Sequence, residues 1–346
     1  MRVRSYSKIN LGLAVGPTRP DGYHGLATVY QTLALHDIVT VIAHPAAVTT
    51  ITLTADNPWV PRTEAGNAAR NTCYKMVETA LKHLQIDANV HIEIQKRLPV
   101  QGGMGAGSAN AAAALIALER ELNQQLDPEA RLQLAAEVGS DVPLFLLGGT
   151  VLGTNRGEQV SPLPNFPQTP CVVALPKVGV STPQAFRDLD ARQLTSSPTV
   201  DKLEQLSRAL SQVFTTHGRE PSPSGISRTA SPATEPFQNE DIGTATDLAE
   251  NTLLALVRTG IENDFEEVAF SQHPFLRDIK RQLMGSDSAN AALYAALSGS
   301  GSALFGLYKS NADAVAAQHR VQSTGTQAIL TETLPRPEYW KRMFAE

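Results

Sequence analysis

Cysteine is scarce in this chain of 346 residues: there are two, Cys73 and Cys171, far apart and without the paired spacing of a metal-binding motif. A disulfide framework is excluded and a structural zinc site is not expected; both read as buried thiols in a reducing compartment. Charged residues make up only 18% of the chain and aromatics 5%, and no Lys/Arg-rich run occurs. With a formal charge of −5 and a pI near 5.9, this argues against a nucleic-acid binder and for a small-molecule partner. No stretch approaches the roughly 18 apolar residues that span a bilayer, and the opening Met1-Arg2-Val3-Arg4-Ser5 lacks an apolar signal core. The expectation is a cytoplasmic protein with no membrane contact. No repeat at solenoid periods is evident, and composition leaves monomer and homodimer both open.

The length exceeds what one core usually serves, so two domains are expected, and 42% hydrophobic residues suffice for two cores. Residues 2–15 and 26–43 read as strands broken by the turn signal Arg19-Pro20-Asp21-Gly22. Helical periodicity runs over 67–84, a strand over 90–94 and a helix over 128–138. Two short strands, 148–153 and 159–162, form a hairpin before a second domain that opens near 171–175. This is an α+β pattern, with domains at 1–165 and 166–334 and a tail at 335–346. In that tail Tyr339 and Trp340 are adjacent aromatics positioned to pack back on the first domain. Residues 215–243 are rich in Ser, Pro, Thr and Gly and read as a disordered or loosely packed insertion, with a docking loop as the functional alternative. Helices are expected from 245 through 280, then strands over 291–297 and 303–308.

The most informative segment is Pro99-Val100-Gln101-Gly102-Gly103-Met104-Gly105-Ala106-Gly107-Ser108, which places four glycines between a strand and a run of strong helix formers. Glycines let backbone N–H groups approach an anion, and a helix N-terminus favours negative charge. ATP is the guest this chemistry suits; a loop merely capped by Ser108 is the plain alternative. A second glycine loop, Ser298-Gly299-Ser300-Gly301-Ser302, lies between the last two strands. No Gly-x-x-x-x-Gly-Lys-Ser/Thr segment exists, so this is not a P-loop. Lys8 and Asn10 share one face of an extended strand, where Lys8 is either an exposed edge charge or a cleft residue. Asp141, in Gly139-Ser140-Asp141-Val142-Pro143, suits either a helix cap or a base that takes a proton from an attacking hydroxyl.

Together these segments resemble the GHMP kinase superfamily. The likeness rests on Ser7-Lys8-Ile9-Asn10-Leu11 with Arg19-Pro20-Asp21-Gly22-Tyr23-His24, on the loop 99–112, and on Leu297-Ser298-Gly299-Ser300-Gly301-Ser302. Gly139-Ser140-Asp141 and Gly153-Thr154-Asn155-Arg156-Gly157-Glu158 also match. Tyr23-His24 and Asn263-Asp264-Phe265-Glu266 point to the branch whose acceptor is 4-diphosphocytidyl-2-C-methyl-D-erythritol. The resemblance covers essentially all but residues 190–245. It implies a two-domain α+β fold: an N-terminal ATP-binding α/β sandwich, a C-terminal ferredoxin-like domain, and the active site in the cleft between them.

The resemblance further implies Asp141 as catalytic base with Lys8 as its partner, and Asn10 as a substrate ligand. Tyr23, His24 and Phe186 would recognise the cytidine; core packing is the alternative for Tyr23 and Phe186. Pro99, Gly102, Gly103, Met104, Gly105, Ala106, Gly107 and Ser108 would hold ATP, with Lys96 and Asn71 near adenine and Asn67 competing for the place of Asn71. Gly299, Ser300 and Gly301 would close on the substrate's diphosphate, and Ser108 is the candidate ligand for Mg²⁺. The chain departs from the family pattern at Ala106, which replaces a glycine and is tolerable only at negative φ, and at Ala109, which replaces a serine. Rival readings are a homoserine- or mevalonate-type kinase, a nucleotide-binding sensor on the same scaffold, and a structural protein with glycine-rich turns.

Overall fold

In a computed structural model the structure describes residues 1–99, 102–193 and 262–346. The expected insertion at 215–243 and the first part of the helices expected over 245–280 lie outside the described residues.

The first sheet is organised by one long strand. β2 (His24–Pro45) pairs along one edge with β1 (Arg2–Thr18); its other edge takes β4 (Ala88–Gln95) at one end and β5 (Thr150–Asn155) at the other. β3 (Thr50–Ala55) extends the sheet beyond β4 as its one parallel pair, and β6 (Gln159–Pro162) closes the hairpin with β5.

One face of this sheet is covered by helices. α1 (Thr72–Leu84) buries Cys73, Met76, Val77, Ala80 and Leu81, an i, i+3, i+4 stripe. Its start corrects the helical reading from residue 67: residues 68–70 form a 3-10 turn, and the side chain of Asn71 then caps α1 by accepting from the Cys73 N–H. Ala68, Ala69 and Arg70 have good helix propensity, but the cap decides where the α-helix begins. α2 (Ala106–Glu121) is buried on all sides from Ala109 to Glu119; its alanines let strands and helices approach closely. α3 (Pro128–Val138) begins at an Asp127 cap with proline in the first turn, and α4 (Val142–Leu147) follows at once.

The second sheet runs in the order β10 (Gln327–Glu332), β7 (Pro170–Leu175), β9 (Leu304–Leu307), β8 (Tyr294–Leu297). All its pairs are antiparallel. In domain order this is 4-1-3-2, the ferredoxin-like arrangement. Its helices are α5 (Thr182–Gln193), α6 (Glu266–Gln272), α7 (Phe275–Met284) and α8 (Asn311–Gln322). The helices expected through residue 280 are α6 and α7, separated at His273 and Pro274, while Asn263, inside the expected helical range, forms a bridge to Leu13 instead.

A shared core joins the two halves. Ile9, Leu11, Val29 and Leu33 of the first sheet pack against Val173, Ala296, Phe305 and Leu307 of the second. The final helix, α9 (Arg336–Lys341), lies on the first domain: the Tyr339 hydroxyl donates to the Phe145 carbonyl at 2.6 Å and the Trp340 indole to that of Leu147 at 3.0 Å. Gly148 makes room for it, since a Cβ there would stand 2.3 Å from the Tyr339 ring. Both cysteines are buried and free, and burial pushes both thiols up.

Candidate active site

The glycine loop opens directly into α2. Gly103 and Gly105 take left-handed φ of 72° and 69°, and Gly105 is the residue before the first helical turn. Each also has its neighbour at its back: a Cβ on Gly103 would meet the Ser298 carbonyl at 2.2 Å, and one on Gly105 would meet Phe145 at 2.9 Å and Lys8 at 3.1 Å. No side chain caps the helix, so Ser108 is not the cap that the plain alternative required. The first-turn N–H groups, which have no intrahelical acceptor, face a cavity of about 470 Å³. Ala106 begins the helix and keeps negative φ, so its methyl is compatible with the loop. Ala109 is buried in the helical core.

A second helix N-terminus converges on the same cavity. Asn71 and Thr72 line it with Pro61, Arg70 and Lys96, and the Thr72 hydroxyl donates to the Gly107 carbonyl at 2.6 Å. The polar atoms of Asn71 are engaged by Cys73 and by the Pro61 carbonyl. The Lys96 ammonium pairs with Asp37 at 2.5 Å. Both residues therefore shape the cavity wall while their heads serve the fold. Asn67 is not on the wall; its side chain accepts from the Arg62 N–H. A larger depression of about 550 Å³ between β3 and α1 has neither glycine loop, Lys8 nor Asp141 on its walls, so volume alone does not locate the site.

Lys8 and Asn10 do meet. Lys8 Nζ donates to Asn10 Oδ1 at 2.7 Å, and Asn10 Nδ2 donates to Thr28 Oγ1 at 2.8 Å. Gly299 N–H donates to the same Asn10 oxygen at 2.9 Å, tying the second glycine loop to β1. Lys8 is almost wholly buried and stands 3.5 Å from Asp141 Oδ2. Burial lowers its pKa and the Asp141 charge works against that. Asp141 occupies the cap position of α4 but its side chain makes no cap bond. It turns instead toward Lys8 and accepts from the Tyr30 hydroxyl at 3.0 Å. The sequence offered no sign of Tyr30, a β-strand tyrosine indistinguishable from core.

The two glycine loops interlock. The Ser298 hydroxyl donates to the Gly103 carbonyl at 3.0 Å and the Ala303 N–H to that of Gly102 at 3.3 Å. Gly301 N–H is taken by Ser298, and Ser300 Oγ lies 2.8 Å from Thr182 Oγ1. The Asn263 side chain holds the carbonyls of Leu297 and Gly299, each at 2.8 Å. The N–H groups of Gly299 and Gly301, expected to face a diphosphate, thus have protein partners here.

At the far end of the cleft, His24 stacks on Phe186 with centroids 4.7 Å apart and planes 20° apart, and its Nε2 lies 2.7 Å from Asp190 Oδ1. Phe186 meets Phe265 edge-on. Tyr23 stands apart from this stack, 55% exposed, beneath the Arg156 guanidinium at 4.9 Å. Among the described residues no three His, Cys, Asp or Glu side chains cluster as a metal site, and no helix is long and apolar enough to cross a membrane.

Known proteins resemble this chain in sequence and in fold. Residues 71–149 match the GHMP kinases N terminal domain and residues 245–327 the GHMP kinases C terminal domain. A 4-diphosphocytidyl-2-C-methyl-D-erythritol kinase of Solibacter usitatus is 35% identical over 307 residues, covering 89% of this chain and 81% of that protein. One from Acetivibrio thermocellus is 29% identical, covering 96% and 98%. A crystal structure of 4-(cytidine 5'-diphospho)-2C-methyl-D-erythritol kinase superposes with a TM-score of 0.66 at 24% identity, covering 96% of this chain and 99% of that one. A homoserine kinase of Cytophaga hutchinsonii gives the same TM-score at 16% identity, covering 98% and 96%. The fold is common to both activities, and sequence separates them.

Proposed function

We propose, for a chain that belongs to the 4-diphosphocytidyl-2-C-methyl-D-erythritol kinase family of GHMP kinases, that it transfers the γ-phosphoryl group of ATP to the 2-hydroxyl of 4-diphosphocytidyl-2-C-methyl-D-erythritol. The products are the 2-phosphate and ADP, a step in the non-mevalonate route to isoprenoids. The observation that carries this reading is the buried Lys8 beside a carboxylate, Asp141, that has left its cap role, next to a helix N-terminus opening into a cavity.

Phosphoryl transfer needs alignment and charge neutralisation more than covalent help. The first-turn N–H groups of α2 hold the phosphates at the positive end of the helix. Asp141 takes the proton of the 2-hydroxyl as its oxygen bonds to the γ-phosphorus, and the bond to the β–γ bridging oxygen breaks to release ADP. The Lys8 ammonium, desolvated and therefore strongly felt, balances charge between the base and the transferring group. Asn10 fixes the Lys8 head. The Ser108 hydroxyl would hold Mg²⁺; the lack of an acidic cluster among the described residues fits an ion carried mainly by phosphate oxygens and water. When bound, the ion would supply charge neutralisation at the phosphates. Phe186, stacked on His24, offers an aromatic face for the cytosine ring.

The test is ADP release with Mg-ATP, comparing the cytidine-bearing substrate with its analogue lacking cytidine. Turnover that requires cytidine and Asp141 supports the reading. Turnover on homoserine or mevalonate instead moves the chain to another branch, and nucleotide binding without turnover on any alcohol favours a sensor.

A further inference from the structure

The segment Gly153-Thr154-Asn155-Arg156-Gly157-Glu158 lines no part of the phosphate cavity, yet it is built tightly against one side chain. A Cβ on Gly153 would stand 2.5 Å from the Tyr30 ring, and one on Gly157 2.6 Å from the Tyr30 hydroxyl. Gly157 also takes φ of 98°, a conformation that side-chain-bearing residues avoid. Tyr30 itself is 2% exposed, donates to Asp141 Oδ1 at 3.0 Å, and lies with its ring centroid 5.5 Å from Lys8 Nζ.

Resting on the reading of Asp141 as base, we propose that Tyr30 is its positioning residue: the hydroxyl holds Oδ1, leaving Oδ2 turned toward Lys8 and the acceptor alcohol, and Gly153 and Gly157 form the slot that fixes the hydroxyl. The arrangement makes the two carboxylate oxygens inequivalent. One is filled by a buried donor; the other faces the ammonium across 3.5 Å, a spacing that leaves it open to a substrate proton.

The ionisable groups acting here come from three elements. Lys8 faces Asp141 from β1 and Tyr30 from β2, while Glu158, on the turn after β5, acts on the Tyr30 phenol. α2 brings the uncharged Gly105 against Lys8, and the second domain brings Gly299. Burial, joined by the charges of Asp141 and Glu158, holds the phenol well above its ordinary value, so it stays a donor across the working range. A carboxylate that loses a donor to its charged form titrates higher.

The experiment is kcat/KM against pH, read on whichever alcohol the wild type turns over, for wild type, Tyr30→Phe, Gly157→Ala and the double variant, with melting curves for each. Tyr30→Phe should move the acidic limb upward, with the loss of activity concentrated at the acid end and the KM for ATP unchanged. Gly157→Ala should move the limb the same way, because its methyl displaces the hydroxyl. In the Tyr30→Phe background it should add no further shift, there being no hydroxyl left to displace. A limb that stays in place while kcat falls by one factor at every pH, or shifts that simply add in the double variant, would overturn the proposal. Asp141→Asn on the same alcohol keeps the two questions apart: turnover at the wild-type rate in that variant overturns the base itself, whereas its loss together with an unmoved limb in Tyr30→Phe overturns only the role of Tyr30.

Discussion

Two lysine–aspartate pairs stand near the phosphate cavity, and they are built in opposite ways. Lys96 and Asp37 meet at 2.5 Å with side chains 5% and 0% exposed, and the other Asp37 oxygen accepts the N–H groups of Arg97 and Leu98, each at 2.7 Å. Both oxygens of that carboxylate have donors, and the pair pins the interior of β2 to the segment that enters the glycine loop. Lys8 and Asp141 are 3.5 Å apart, with the lysine 3% and the aspartate 32% exposed. One oxygen of Asp141 is held and the other is open. A carboxylate surrounded by donors is a fastener. A carboxylate with one oxygen held and the other facing a buried ammonium at 3.5 Å is, on the proposed reading, the one that takes the proton.

The largest effect that would break this contrast is on turnover. Asp141→Asn should lower kcat by about 10²–10⁴-fold with a smaller fall in melting temperature than Asp37→Asn, because Lys8 keeps its bond to Asn10 and Asp141 is itself 32% exposed; ADP release and thermal denaturation measure the two. Asp37→Asn should do the reverse. It leaves the Lys96 charge buried without its partner, a loss of about 3–5 kcal/mol seen in urea denaturation, with kcat close to wild type at a temperature where the variant is folded. Away from both pairs, Phe186→Ala removes the stacking face and should weaken the cytidine-bearing substrate by about 1–3 kcal/mol, read as a higher KM for that substrate and an unaltered KM for ATP. The smallest effect sharpens the comparison from outside it. Trp340→Phe deletes the indole bond to the Leu147 carbonyl and should cost about 0.5–1.5 kcal/mol in the denaturation midpoint, with no change in either KM.

The same contrast shows what the chain discloses before it folds. Period-two geometry puts Lys8 and Asn10 on one face, and a 2.7 Å hydrogen bond joins them. The glycines announce a tight approach at the α2 N-terminus, and the approach is real at Gly103 and Gly105. Local sequence stops at Asp141: its position before Val142-Pro143 marks a helix start, but only the tertiary placement of Tyr30 and Lys8 turns the side chain away from a cap. Lys96 shows the same limit. Its partner lies 59 residues earlier, on β2, while Lys96 follows the end of β4, and nothing beside either residue in the chain announces the pair. Tyr30 is hidden for a further reason, since its role depends on what is absent at Gly153 and Gly157. The grip of Tyr23 and Phe186 on one base was implied only by the family resemblance, and the rings stand apart: Phe186 stacks on His24, and Tyr23 lies under Arg156. The alternation of elements carries the α+β class, while the 4-1-3-2 order of the second sheet follows from long-range pairing that no local pattern encodes.

The most direct test measures kcat and melting temperature together for Asp141→Asn and Asp37→Asn, with Mg-ATP and the cytidine-bearing alcohol. A double dissociation is expected: Asp141→Asn folded and nearly inactive, Asp37→Asn destabilised and active while folded. If Asp141→Asn turns over at the wild-type rate, or if both variants lose stability and activity in step, the open pair is only another fastener and the assignment of the base is wrong.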